Sequence, residues 1–106
     1  MRVRINNLEN YEHIHLIGIG GVSMSAIAVT LHRWGYKVTG SDASRSELTD
    51  KLIQDGIKVT IGHDLTNPKN ADLIIFSAAI KDTDPEMVLA KQFGIPIVTR
   101  GEFVGY

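Results

Sequence analysis

The hydrophobic positions along this chain change period several times, and each change marks a different kind of element. The run Ile14-His15-Leu16-Ile17 reads as a first strand and leads straight into a glycine cluster. Between 22 and 34, Met24, Ile27, Ala28, Leu31 and Trp34 recur at helical intervals, and Gly35 supplies a left-handed stop. A second strand is predicted over 36–40. Ser44 and Glu47 have the spacing of a capping box, so a helix should open there, with Leu48, Leu52 and Ile53 on one side and Gly56 at its end. Residues 57–61 read as a third strand and 64–70 as a polar loop containing Pro68. Leu73-Ile74-Ile75-Phe76 is the strongest strand signal, because four apolar residues in succession suit a strand covered on both faces.

Asp84 followed by Pro85 marks a helix start, since proline at the first helical position gives up an N–H that has no partner there. That helix should stop at Gly94, with a fifth strand over 96–98. Thr99 and Glu102 again have capping-box spacing, and Phe103, Val104 and Tyr106 begin a further helix of about one turn. A helix launched so late points to a domain cut from a longer parent. The other reading is a short terminal turn packing its aromatics on the core.

Strands alternating with helical patterns predict an α/β fold: a Rossmann-like open, mostly parallel sheet of about five strands with helices on both faces. The 106 residues make one domain, 1–106. A formal net charge of −1 offers no basic stripe, so no nucleic-acid partner is expected. With no cysteine there are no disulfides and no thiolate metal sites, which fits a reducing compartment. No stretch approaches the roughly 20 apolar residues that span a bilayer, and the polar opening residues carry no signal-peptide core. The expectation is a cytoplasmic protein without membrane contact.

The candidate chemistry lies in Gly18-Ile19-Gly20-Gly21-Val22-Ser23-Met24-Ser25, between the first strand and the first helix. Glycines there permit a sharp turn and close backbone approach to a ligand, and the helix offers unpaired N–H groups at the positive end of its dipole. A diphosphate fits that place, and the hydroxyls of Ser23 and Ser25 could add donors. A tight turn with no ligand is the alternative. The second strand leads to Ser41-Asp42, where an acidic residue commonly binds a nucleotide ribose, though capping of the following helix would also explain Asp42. Gly62-His63-Asp64 and Ser77-Ala78-Ala79-Ile80 open on the same side, and their small residues leave room for a base or sugar. His63 could equally be a solvated loop residue. His13, His15 and His32 show no metal spacing and read as structural or exposed, so no metal ligands are assigned.

Taken together, HIHLIGIGGVSMSAIA, GYKVTGSD, IGHD and SAAIKDTDPE follow one another in a way that resembles the Mur ligase family, in its branch that joins L-alanine to UDP-N-acetylmuramate. The resemblance covers nearly the whole chain. It implies a peptidoglycan-building ligase of three domains, of which this is the first, holding the UDP end of UDP-N-acetylmuramate. By position, Gly18, Gly20, Gly21, Val22, Ser23, Met24 and Ser25 would form the diphosphate loop. Asp42, with Ser41 beside it, would contact the uridine, and His63 with Ser77, Ala78 and Ala79 would enclose uracil and ribose. Ser23 departs from the glycine common in the family, though it still presents a backbone N–H. The resemblance also implies ATP and magnesium in the parent enzyme, and central and C-terminal domains as partners. No GxxxxGK[ST] loop occurs here, so no cofactor or catalytic residue is assigned to this chain, which should be inactive alone. A sister ligase that adds a tripeptide stays open, as does a regulatory Rossmann module that senses NAD.

Overall fold

The computed structural model describes residues 11–104, and the expectation for Tyr106 lies outside them. The chain runs β1 (His13–Ile17), α1 (Val22–Arg33), β2 (Lys37–Asp42), α2 (Glu47–Gln54), β3 (Lys58–Ile61), α3 (Asn67–Asn70), β4 (Leu73–Phe76), α4 (Pro85–Gln92), β5 (Ile97–Thr99) and α5 (Arg100–Val104). The five strands form one sheet in the order β3-β2-β1-β4-β5, and every pairing is parallel. The expected α/β, Rossmann-like architecture is therefore observed.

Alternation along the strands sorts the core into two layers, because successive side chains point to opposite faces. Ile14 and Leu16 of β1, Val38 of β2, Leu73 and Ile75 of β4 and Val98 of β5 pack with Met24, Ala28, Leu31 and Leu52 of α1 and α2. Ile17 and Ile74 pack on the other face with Met87 and Ala90 of α4. The central strand β1 is buried throughout, as a parallel strand covered on both faces should be. Among the described residues no helix is long and apolar enough to cross a membrane.

Several boundaries differ from the sequence expectation. The capping box that opens α2 is Ser46 with Thr49, not Ser44 with Glu47. Ser46 Oγ accepts the Thr49 N–H at 3.2 Å, and Thr49 Oγ1 accepts the Ser46 N–H at 2.8 Å. Threonine can replace glutamate there because its hydroxyl oxygen also accepts the Ser46 N–H. Ile53, expected on the core side of α2, is exposed, as is Trp34, which ends α1 at its C-cap rather than continuing the apolar stripe. The expected polar loop at 64–70 contains a short helix, α3. Asp64, buried, organises it by accepting the N–H groups of Thr66 and Asn67, both at 2.9 Å, and the Asn67 side-chain amide at 2.7 Å. The second capping box is observed: Thr99 N–H donates to Glu102 Oε1 at 2.8 Å and Glu102 N–H to Thr99 Oγ1 at 3.0 Å.

Candidate functional site

The carboxyl ends of the strands open onto one cleft of about 640 Å³. Its walls come from the loops after β1 to β4 and from the first turn of α4. It lies where the chain reverses direction across the sheet, with β2 and β3 on one side of β1 and β4 and β5 on the other, which is where open α/β sheets bind ligands.

The glycine loop owes its shape to backbone bonds. Gly18 takes φ 82°, a left-handed conformation that favours glycine. The N–H groups of Gly18 and Ile19 both donate to the Ser41 carbonyl, at 2.8 and 3.0 Å, and the Gly20 N–H donates to Asp42 Oδ2 at 2.8 Å. These three amides are therefore engaged inside the fold. Gly21, the N-cap of α1, has no side chain to offer the first turn, so the amides of Val22, Ser23 and Met24 have no side-chain cap. They are the donors this loop presents to an anion.

The sequence-assigned residues divide accordingly. Gly18, Gly21, Ser41, Asp42, His63, Ser77 and Ala79 line the cleft. Val22 and Ser23 are exposed at the start of α1, whereas the Met24 side chain belongs to the core. Ser25 does not add a hydroxyl to the cleft as expected. It is buried, and its Oγ donates to the Val22 carbonyl at 3.0 Å. Ala78 is exposed in the turn after β4, and Ser77 Oγ there accepts the Ala79 N–H at 3.2 Å. Asp42 is a staple between two loops: Oδ2 holds Gly20, and Oδ1 accepts the Ser44 N–H at 3.1 Å. It does not cap α2, whose N-cap is Ser46.

Sequence reasoning missed Asp84 and Glu86, which line the cleft from α4. They stood inside the quoted SAAIKDTDPE motif, but nothing local shows that α4 brings them beside His63. Asp84 caps α4, with Oδ1 accepting the Glu86 N–H at 2.8 Å. Glu86, 1% exposed, meets His15 Nε2 at 2.8 Å through Oε1 and accepts Ser41 Oγ–H at 2.6 Å through Oε2.

Behind Glu86 runs a buried polar ladder. His15 Nδ1 lies 2.7 Å from Thr39 Oγ1, which lies 2.8 Å from His13 Nε2. His15 Nε2–H donates to the Glu86 carboxylate, and the Thr39 hydroxyl joins the two histidine rings behind it. His15 and His13 are structural, as expected. Burial, then Lys37 and His15, lower the His13 pKa from its ordinary 6.5 against weaker opposing contacts.

Charge in the cleft is one-sided. Asp42, Asp84 and Glu86 line it together with His63, and no lysine or arginine does. His63 is 53% exposed, with Nδ1 3.7 Å from Asp84 Oδ2 and 3.6 Å from Glu86 Oε2. These three residues bring one ligand atom each within 4.8 Å of one another, the one such trio among the described residues that could hold a metal ion. Capping and the buried ladder already account for both carboxylates without a cation.

Comparison with known proteins follows the same line. A family model described as "Mur ligase family, catalytic domain" matches residues 13–106. The UDP-N-acetylmuramate–L-alanine ligases of Alkaliphilus metalliredigens and Clostridium tetani are each 46% identical to this chain, over 101 and 99 residues, or 93% of it. The chain spans 22% of the length of both relatives. Among solved structures, the UDP-N-acetylmuramate-alanine ligase of Thermotoga maritima superposes with a TM-score of 0.83 at 35% identity, over 89% of this chain and 22% of that one. A murein peptide ligase from Psychrobacter arcticus gives 0.79 at 26% identity, over 89% and 20%. A transcriptional regulator in complex with NADP gives 0.67 at 13% identity over 83% and 32%, which shows the shared fold alone. With the model matched from β1 onward and relatives at this identity, the chain belongs to the Mur ligase family.

Proposed function

We propose that this domain holds the uridine diphosphate end of UDP-N-acetylmuramate for an ATP-dependent cytoplasmic ligase that adds L-alanine to it during peptidoglycan synthesis. The observation that carries the reading is the uncapped first turn of α1 opening beside a cleft that also contains the Asp42 carboxylate. The names of the relatives support the choice of substrate.

In this reading the diphosphate lies on the amides of Val22 to Met24, where the helix dipole favours negative charge. Gly21 lets the phosphates approach the backbone closely. Asp42 holds the ribose: each of its oxygens already accepts one N–H, which fixes the carboxylate and leaves a second lone pair for a hydroxyl. His63, Ser77 and Ala79 enclose the base. No ATP site is assigned to this chain. The glycine loop lacks the lysine of a triphosphate cradle, and no GxxxxGK[ST] segment occurs elsewhere in the sequence. Activation of the lactyl carboxylate and attack by the amino acid therefore belong to the other domains of the parent enzyme.

NMR titration of the labelled chain with UDP, UDP-N-acetylmuramate and NAD in parallel tests the reading. Shifts at 20–25 and around Asp42 with the uridine ligands are expected, and Asp42→Ala should weaken UDP about tenfold. Shifts with NAD alone would instead identify a dinucleotide sensor, and unchanged UDP affinity in Asp42→Ala would remove that residue from the site.

A further inference from the structure

Glu86 closes the buried ladder and also faces the cleft. It is almost fully buried, yet it forms part of the cleft wall. Helix capping does not require its side chain, because Asp84 already caps α4. A buried carboxylate is costly unless it is hydrogen-bonded. His15 and Ser41, from two different strands, compensate in part and fix its orientation. An ionised carboxylate accepts about four hydrogen bonds, two at each oxygen, so acceptor capacity remains beyond these two.

The distribution of charge limits what can lie against it. Asp84 and Glu86, from α4, form an acidic wall with His63 beside them and no lysine or arginine among the lining residues, while Asp42 lies against the glycine loop through its bond to the Gly20 amide. Phosphates facing that wall would be repelled. The part of a ligand that rests on it must be uncharged and rich in donors. In a uridine diphosphate that part is the nucleoside, whose donors are the ribose hydroxyls and the uracil N3–H.

We propose that Glu86 is a specificity-determining residue that accepts a hydrogen bond from a donor of the bound uridine. With Asp42 it sets which way round the ligand lies. Phosphates go to α1 and the nucleoside to the acidic wall. The inference rests on the uridine-diphosphate reading above. His15 and Ser41 are positioning residues for the Glu86 carboxylate, and the ladder back to His13 keeps its inner side satisfied.

Calorimetric titration of the full chain and its Glu86→Gln variant with UDP and with pyrophosphate tests this. Loss of one hydrogen bond to a charged group predicts a UDP affinity about tenfold or more weaker in the variant. Pyrophosphate affinity should stay within about twofold. Equal loss for both ligands, or loss for neither, overturns the proposal. N3-methyl-UDP, 2′-deoxy-UDP and 3′-deoxy-UDP then identify the donor. The analogue lacking it binds the wild type weakly and loses little more on Glu86→Gln, whereas additive losses for all three overturn the contact. Should the variant fail to fold, the carbon-13 shift of the Glu86 carboxyl in the wild type decides. Movement with UDP but not pyrophosphate supports the contact, and any other pattern refutes it. A wild-type chain that binds neither ligand overturns the uridine-diphosphate reading and this one with it. UDP binding indifferent to Glu86 overturns this one alone.

Discussion

Two neighbouring glycines should respond to alanine in opposite ways. A Cβ on Gly20 would sit 2.8 Å from Asp42 Oδ2 and 2.9 Å from Thr49 Cγ2. Neither neighbour yields easily. The Asp42 carboxylate is held by the Gly20 and Ser44 amides, and Thr49 is buried within its capping box. Overpacking of this kind costs about 1–3 kcal/mol. If Asp42 moves to relieve it, the charge-assisted bond to Gly20 is lost, for about 1.5–3 kcal/mol. These are alternatives rather than a sum, and the stiffer unfolded chain offsets about 0.4–1 kcal/mol. A net loss of about 1.5 kcal/mol follows, or roughly 6–12 °C in melting temperature for a domain of this size. At Gly21 the added Cβ would lie 3.7 Å from the Gly18 carbonyl oxygen and 3.8 Å from Met24, ordinary contacts, at a backbone φ of −65° that alanine accepts. Gly21→Ala should therefore melt near the wild type, the stiffer unfolded chain offsetting alanine's poorer fit at an N-cap, and under the proposed function should weaken UDP. Thermal unfolding followed by circular dichroism, paired with UDP titration, reads both effects. If Gly20→Ala melts within about 2 °C of Gly21→Ala, the close packing of the loop against Asp42 and Thr49 is not what holds it.

Other expectations follow from the same structure. Gly40→Ala should be more damaging, at about 3 kcal/mol, because its Cβ would lie 2.8 Å from both the Leu16 carbonyl oxygen and Ile19 Cβ; urea unfolding measures it. Ser46→Ala should cost about 1 kcal/mol through loss of the α2 cap, while Ser44→Ala stays near zero; equal effects in thermal melts would return the cap to Ser44. Stability should decline with falling pH in two windows. Folding lowers the His13 pKa, so its contribution is complete above the ordinary 6.5 and lost as pH falls through the folded value; His13→Gln should flatten this window in urea unfolding across pH. Asp64 and Asp72 act below 3.8, the ordinary carboxyl value. Burial raises Asp64, but hydrogen bonds from Asn67 and Thr66 together with His15 outweigh it. The His13 and Glu12 amides lower Asp72 against a smaller burial effect. Both folded values are depressed, so this stability is present above 3.8 and lost as pH falls through them; Asp72→Asn should lessen the acid loss.

The features legible in the sequence were those with a local cause. Leu73 to Phe76 could only be a doubly covered strand, Asp84-Pro85 could only open a helix, and the glycine cluster after β1 had one place in a parallel sheet. Where two local causes competed, the reading slipped. Ser44 and Ser46 both precede the apolar face of α2, and the reciprocal bonds between Ser46 and Thr49 put the cap at Ser46. Trp34 fits the helical period, yet α1 ends at it, leaving the indole in solvent. The acidic wall was out of reach for another reason. Glu86 reads as one charge in the first turn of a helix, and only the sheet order, with β1 between β2 and β4, brings it to His15 and Ser41.

The span of that last contact bears on how the chain assembles. His15 and Glu86 stand 71 residues apart, and every strand pairing is parallel, so no hairpin shortens the search. On a ribosome adding about 5–20 residues per second, β1, α1 and β2 emerge with the glycine loop and Asp42 already at hand. His15 Nε2 and Ser41 Oγ must then wait for α4, answered only by water. The layer with α1 and α2 can begin to pack at that stage, to be completed by Leu73, Ile75 and Val98, whereas the second stays hydrated until Glu86 arrives. If the proposed uridine-diphosphate site is right, the nascent domain should acquire the glycine loop and Asp42 first and complete its uridine contacts only when α4 docks.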